Sequence, residues 1–318
     1  MALSAAAHEP SAIADSVLRT HRAGPSRRST DAREAAIVRV MLWDVRVGGE
    51  RRLPLLERVD ADVLLLLGVS RKSGRSWTER WTGRYHCATG LQLATSPQKQ
   101  PHGAMIASRW PLQQAEPITE LARPERGLIA TTDLDGRPLT LISWGTPNAA
   151  GEGYPTKMAA YRHMTSLLVA VGHATILGLD TTSRYDPPDP GVPEQPDEIR
   201  AEEHAFLRRD AAHRLRDVHR SLIDRDRPGQ RLLADLRPDG PLATTFIRRP
   251  YGSPRGIARG FAAGRDVGLD RMEGLFVSSE LEPLACEHLY HEALDSGGDH
   301  AAVIADLELR PGTAPTAR

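Results

Sequence analysis

Ser296-Gly297-Gly298-Asp299-His300-Ala301-Ala302-Val303 leads into the apolar run Val303-Ile304-Ala305, which reads as a terminal strand. A strand would hold the Asp299-His300 pair rigidly, and an imidazole flanked by carboxylates is suited to moving a proton. An isolated Asp-His pair is more often surface decoration. Segments upstream give this one its weight. Val38-Arg39-Val40-Met41-Leu42-Trp43-Asp44-Val45-Arg46 is strand-like and ends in a carboxylate. Ala61-Asp62-Val63-Leu64-Leu65-Leu66-Leu67-Gly68-Val69 is continuously apolar, as in a strand buried on both faces. Gly103 to Leu112 follows, then Ile176-Leu177-Gly178-Leu179-Asp180-Thr181-Thr182, then Leu269-Asp270-Arg271-Met272-Glu273-Gly274-Leu275-Phe276-Val277-Ser278.

In that order the segments resemble the endonuclease/exonuclease/phosphatase superfamily, the deoxyribonuclease I-like fold, across residues 36–309. The resemblance implies an α/β fold: a four-layer sandwich of two packed mixed β-sheets flanked by helices. It also implies hydrolysis of phosphate esters with a divalent ion, Mg²⁺ or Mn²⁺. In the family, an Asn after the first strand and a Glu after the second help hold the metal. The Asp of a Gly-Asp-x-Asn segment positions the attacking water. A late His, oriented by an Asp on the preceding strand, contacts the phosphate, assisted by a mid-chain His or Tyr.

The carry-over is mixed. Asp180 matches the water-positioning Asp, with Leu179 replacing the Gly before it and Thr182 the Asn after it. Glu273 stands for the orienting Asp, and Asp299 and His300 match directly. Gly68 occupies the place of the metal-binding Glu, and Gly145 that of the mid-chain His or Tyr. Asp44 replaces the Asn, so one carboxylate is lost and another gained. The expected metal ligands are Asp44 and Asp299 beside Asp180; the expected catalytic residues are Asp180, His300, Glu273 and Thr182. Converging carboxylates without a metal would instead raise one another's pKa values. Each residue also has a plainer reading: Asp44 and Asp180 as caps, Glu273 as an exposed strand residue, Thr182 as a turn residue. If Asp44 compensates for Gly68, exchanging both to the family's Asn and Glu should preserve metal binding, provided position 68 tolerates a side chain.

Composition narrows the field little. Lys+Arg and Asp+Glu are both 41, so no net charge steers the chain to nucleic acid or membrane. Cys87 and Cys286 are too few for a disulfide framework and lack metal-site spacing, which points to a reducing, cytoplasmic compartment. The N-terminus lacks the basic-then-apolar pattern of a signal peptide, and no apolar stretch reaches the roughly 20 residues of a membrane span.

Residues 1–35 read as a flexible tail, 36–311 as a single domain with a helical insertion at 184–230, and 312–318 as a second tail. Asp135-Gly136 between two apolar runs marks a hairpin. Thr156 to Val171 reads as a helix with an apolar face at Met158, Tyr161, Leu168 and Val169. Tyr185 to Pro196 is a loop by composition, and Asp197 to Ile223 is one long helix or two shorter ones. His204, His213 and His219 in that stretch lack the i, i+4 spacing of a helical metal pair. Arg248, Arg249, Arg255, Arg259 and Arg265 form a Gly- and Arg-rich loop, read as solvated charge or as a phosphate clamp. The function expected is a divergent phosphoester hydrolase acting on nucleic acid or a small phosphate ester. The alternative is a catalytically inactive relative that binds a phosphate-bearing ligand or a protein.

Overall fold

Val63-Leu64-Leu65-Leu66-Leu67 is buried along its whole length in the computed structural model, which describes residues 36–46, 49–93, 101–182, 198–225, 245–247 and 269–310. Buried on both faces, this run needs a strand on each side and a layer above and below. The chain supplies them in order. First come β1 (Ile37–Asp44), α1 (Leu53–Val59), β2 (Val63–Ser70), α2 (Arg71–Arg80), β3 (His86–Thr89), β4 (His102–Ser108) and β5 (Leu112–Pro117). Next are β6 (Gly127–Leu134), β7 (Arg137–Gly145), α3 (Ala149–Glu152), α4 (Tyr154–Ala170) and β8 (Ala174–Asp180). Then follow α5 (Ala201–Leu207), β9 (Arg216–Asp217), α6 (Val218–Arg225), β10 (Phe246–Ile247) and β11 (Leu269–Asp270). Last are β12 (Glu273–Val277), β13 (Leu281–Leu289), α7 (Tyr290–Asp295) and β14 (Ala302–Leu309).

Two six-stranded sheets form, ordered β13-β14-β1-β2-β4-β3 and β5-β6-β7-β8-β12-β9. Both are mixed: β1 runs parallel to β2 and β7 parallel to β8, while the other neighbours are antiparallel. Alternation puts one face of each sheet inward. Val40, Leu42, Leu65 and Ile106 meet Leu128, Leu141, Ile176 and Leu275 between the sheets. Outside the first sheet, Met41, Trp43, Leu64 and Leu66 pack with Leu56 of α1 and Trp77 of α2. Outside the second, Trp144, Leu177 and Leu179 pack with Tyr161 and Met164 of α4 and Phe206 of α5. The expected two-sheet α/β sandwich is therefore present.

Local signals explain the joints. Asp135 and Gly136 both take positive φ, 54° and 78°, the requirement of a type I′ hairpin turn. The Ser70 hydroxyl accepts from Ser73 N at 3.1 Å and caps α2. The α4 face differs in one position: Met158, Tyr161, Met164 and Leu168 are buried, but Val169 is exposed. Its place is taken by Met164, which keeps the i, i+3, i+4 stripe continuous. The stretch after residue 197 forms two short helices, α5 and α6, joined through β9, which pairs with β12 as an edge strand. The tails, the Pro-rich loop at 185–196 and the arginines at 248–265 lie outside the described residues. Among the described residues no helix is long and apolar enough to cross a membrane.

Candidate active site

Register brings the chemistry-bearing strand ends to one rim. Asp44 ends β1 beside Leu67 of β2, and Gly145 ends β7 beside Asp180 of β8. Glu273 opens β12 directly opposite Asp180. His300 precedes β14, and its carbonyl accepts from Trp43 Nε1 at 3.0 Å, tying it to the end of β1. Between the sheets at this rim lies a cavity of about 310 Å³, lined by Asp44, Arg46, Leu67, Gly68, His102, Gly103, Arg126, Gly145, Thr146, Asn148, Asp180 and Thr182.

The exchange at positions 44 and 68 is a single steric event. Gly68 has φ +64°, and a Cβ built there would meet Asp44 Oδ1 at 2.3 Å and Arg46 N at 2.9 Å. The Asp44 carboxylate thus fills the space where a residue-68 side chain would start. Arg46 N donates to Asp44 Oδ1 at 2.9 Å and fixes it there. Restoring Glu at 68 with Asn at 44 is therefore obstructed, because Asn has the same shape as Asp.

Asp180 sits at the mouth of a braced turn. Its Oδ1 accepts from Thr182 N at 2.7 Å, and its carbonyl accepts from Thr146 N at 2.9 Å. Thr181 is pinned through its N–H and hydroxyl to Met272 O, at 2.9 and 3.0 Å. Behind the turn, the buried Lys157 Nζ donates to Thr181 O at 2.8 Å and pairs with Glu203 of α5 at 2.8 Å. Thr182 takes a left-handed φ of 49°; its hydroxyl donates to Pro147 O at 3.2 Å and lies 3.1 Å from the Thr146 hydroxyl. A hydroxyl has one proton, and this one is used within the protein, so Thr182 holds the turn.

His300 Nδ1 is hydrogen-bonded to Glu273 Oε1, and both residues are fully buried. Thr245 supports the pair: its hydroxyl oxygen accepts from Met272 N and Glu273 N, and its carbonyl from Ala301 N. The Phe246 ring packs on the imidazole at 4.8 Å, and the Arg46 guanidinium lies over the same ring at 5.6 Å from its centre. His300 Nε2 has no hydrogen-bond partner among the described residues and stands 4.0 Å from Asp299 Oδ1. Asp299 pairs with Arg46 Nη1 at 3.3 Å.

The charges set one another. Burial first, then Glu273 and Asp44, push Asp180 up to about 7, against the lowering by His300 and the Thr182 N–H. Burial opposes a charged imidazole, yet Glu273, Asp44 and Asp180 together outweigh it and push His300 up to about 10. The clustered carboxylates therefore favour the charged imidazole, and their mutual repulsion favours a proton on Asp180.

The donor set fits a hard divalent ion. Asp44 and Asp180 present carboxylate oxygens to the cavity, and Mg²⁺ takes one or two carboxylates while keeping several waters. Gly68 contributes no side-chain ligand, and Asp299 is turned to Arg46. His102, Arg126, Asn148, Thr245 and Phe246 had no sequence signal. His102 lies one residue ahead of the recognised Gly103 segment, and it enters the cavity because β4 pairs with the end of β2.

Solved structures share this arrangement of strands and helices. An endonuclease/exonuclease/phosphatase protein from Beutenbergia cavernae superposes over 88% of this chain and 73% of its own, at TM-score 0.57 and 18% identity. The fold is that of the endonuclease/exonuclease/phosphatase superfamily. D. rerio TDP2, complexed with single strand DNA product, matches over 86% of this chain and 99% of its own, at TM-score 0.58 and 14% identity. An AP endonuclease from Archaeoglobus fulgidus matches over 84% and 98%, at TM-score 0.55 and 16% identity. No protein-family model and no curated protein matches the sequence. On the endonuclease/exonuclease/phosphatase fold, the cavity of Asp44 and Asp180 falls between the two sheets, at the ends of β1, β2, β7 and β8.

Proposed function

We propose that the protein is a divalent-metal-dependent phosphoester hydrolase acting on a nucleic-acid or small phosphate-ester substrate. The observation that carries this reading is the seating of Asp44 in the space above Gly68, with Asp180 on the same cavity. Two carboxylates face that cavity, so the ligand charge lost at position 68 is returned at position 44. A bound Mg²⁺ or Mn²⁺ would be held by Asp44 and Asp180, with Asp299 at the margin, and would offset charge on the phosphoryl oxygens.

The remaining chemistry belongs to the chain. Asp180, raised to about 7 in the metal-free chain, is brought to its ionised form by a bound cation and can then orient a water beside the phosphate. His300, held as a cation by Glu273, offers Nε2–H to the developing negative charge on phosphate. His102 and Arg126 line the cavity and supply further donors. The DNA product bound by TDP2 and the AP endonuclease named among the matches favour a nucleic-acid substrate. The balanced charge of 41 against 41 disfavours tight sequence-independent binding to long duplexes.

A second reading rests on His300, only 1% exposed beneath Phe246, and on the two glycines. It is a non-hydrolytic protein that binds a phosphate-bearing ligand or a partner protein in the same cavity. Hydrolysis of bis(p-nitrophenyl) phosphate and of end-labelled single-stranded DNA, with Mg²⁺ or Mn²⁺ titrated by calorimetry, separates the two. Metal binding with turnover lost in Asp180→Asn supports the hydrolase; phosphate binding without metal affinity or turnover supports the second reading.

A further inference from the structure

Cys286 and His288 are two residues apart on β13, so their side chains point to the same face of the sheet. That face is inward, where α6 packs against β13 and brings His219 to them. One ligand atom from each of His219, Cys286 and His288 lies within 4.8 Å of the others, and all three residues are buried. The His219 and His288 rings meet edge-on at 4.8 Å. Neither ring nitrogen of His288 has a hydrogen-bond partner among the described residues, although the side chain is 5% exposed. A buried imidazole with both nitrogens unsatisfied is costly, and such a group calls for an explanation.

We propose that His219, Cys286 and His288 bind a zinc ion that clamps α6 to the edge strand β13. One thiolate and two imidazoles form a borderline-soft donor set, which selects zinc over magnesium or calcium. Tetrahedral zinc with ordinary bond lengths places such donors roughly 3.4–3.7 Å apart. The present spacing therefore needs a contraction of about 1 Å, within the reach of small χ rotations. The nearby ionised pair, Arg271 and Asp217, is bonded to itself at 2.9 Å, so it places little net charge against the ion. A water completes the fourth position.

The location gives the ion its role. β13 is the edge of one sheet, and β9, which leads directly into α6, is the edge of the other. An ion between α6 and β13 ties the two sheets together at the open side of the sandwich. The site shares no residue with the cavity of Asp44 and Asp180. It is also invisible to spacing rules, since His219 and Cys286 are distant in sequence.

The test uses the full chain, stripped with chelator and reloaded. The expected result is equimolar zinc by elemental analysis and a thermal midpoint that falls on stripping. That midpoint is restored by Zn²⁺ and unaffected by Mg²⁺. Co²⁺ should produce the near-ultraviolet thiolate charge-transfer band of a sulfur-ligated ion. His219→Phe keeps an edge-on ring against His288 and should weaken zinc binding at least as much as the roughly 10- to 100-fold known for mere outer-shell changes. The double variant Asp44→Asn, Asp180→Asn should keep the zinc. Absence of the cobalt band in the wild type overturns the proposal, even if Cys286→Ala proves unable to fold. Full zinc retention in His219→Phe also overturns it, leaving the three residues as packing.

Discussion

Replacing Gly68 by Ala tests the steric link between positions 68 and 44 with the smallest side chain. Two costs add. An L-residue held in the left-handed region at φ +64° loses ~1–2 kcal/mol. A Cβ at 2.3 Å from Asp44 Oδ1 and 2.9 Å from Arg46 N forces displacement of a packed neighbour, an overpacking cost of ~1–3 kcal/mol. The expected loss is about 2–5 kcal/mol, a large part of the ~5–15 kcal/mol that holds an ordinary domain folded. Urea denaturation should show it as a lowered midpoint at unchanged slope. Adding Asp44→Ala removes the carboxylate contact but leaves the backbone cost and the clash with Arg46 N, so the double variant should recover only part of the loss. A Gly68→Ala loss below ~1 kcal/mol, or no coupling in the cycle, would refute the claim that Asp44 fills the space of a missing side chain. Gly68→Glu with Asp44→Asn, attractive from sequence alone, should then fail to restore metal affinity.

Asp44→Asn alone, which is nearly isosteric, should leave stability almost unchanged and weaken Mg²⁺ or Mn²⁺ binding by roughly tenfold or more, about 1.4 kcal/mol, read by calorimetry. Asp180→Asn keeps the acceptor for Thr182 N but removes a carboxylate from the ion and from the water, so metal affinity should weaken as in Asp44→Asn and kcat at saturating metal should fall roughly 10²–10⁴-fold. The value of about 7 for Asp180 belongs to the metal-free chain, and a bound cation favours the ionised carboxylate, so the acid limb of the wild-type rate should move to lower pH as metal is added, while the alkaline limb falls toward about 10, where His300 loses its proton. Glu273→Gln should draw that alkaline limb to lower pH, and an unmoved limb would remove Glu273 from the orienting role. Burial opposes ionisation of Asp217, but Arg271, by charge and hydrogen bond, and Arg220 hold its carboxyl well below the usual range. Its contribution to stability is therefore complete above the unfolded value of about 4 and is lost as pH falls through the folded one, so Asp217→Asn should flatten the acid limb of a stability profile.

The strands were legible because their apolar patterns are strong and uninterrupted. The run from Val63 to Leu67 demanded two-sided burial, and Asp135-Gly136 demanded a turn with two positive φ angles. The rim residues Asp44, Asp180 and Glu273 were legible because each ends or opens such a strand, and His300 because it lies just ahead of one. The rest depended on pairing between distant segments, which no local pattern encodes. His102 reaches the cavity through the β2–β4 register, and Thr245 supports Glu273 from a two-residue strand region. His219 lacked a metal partner at i, i+4 spacing, and its neighbours Cys286 and His288 come from β13, distant in sequence. Thr182 left two readings open in sequence, a catalytic residue and a turn residue, and its φ and hydroxyl contacts place it in the turn.

The ion pair between Lys157 and Glu203 bears on how this chain can be shortened. Glu203 belongs to α5, inside the segment that looks like an add-on between β8 and β12, yet its carboxylate pairs with a fully buried ammonium that also braces the carbonyl of Thr181. Arg200 joins the same carboxylate at 2.7 Å. Excising this segment to obtain a minimal core would strand a cation in the interior, at a cost of ~3–5 kcal/mol, and release the turn that aims Asp180. A trimmed version therefore needs a compensating change, such as Lys157→Met, before its loss of turnover could be blamed on missing substrate contacts. The segment is a graft whose root runs under the cavity of Asp44 and Asp180.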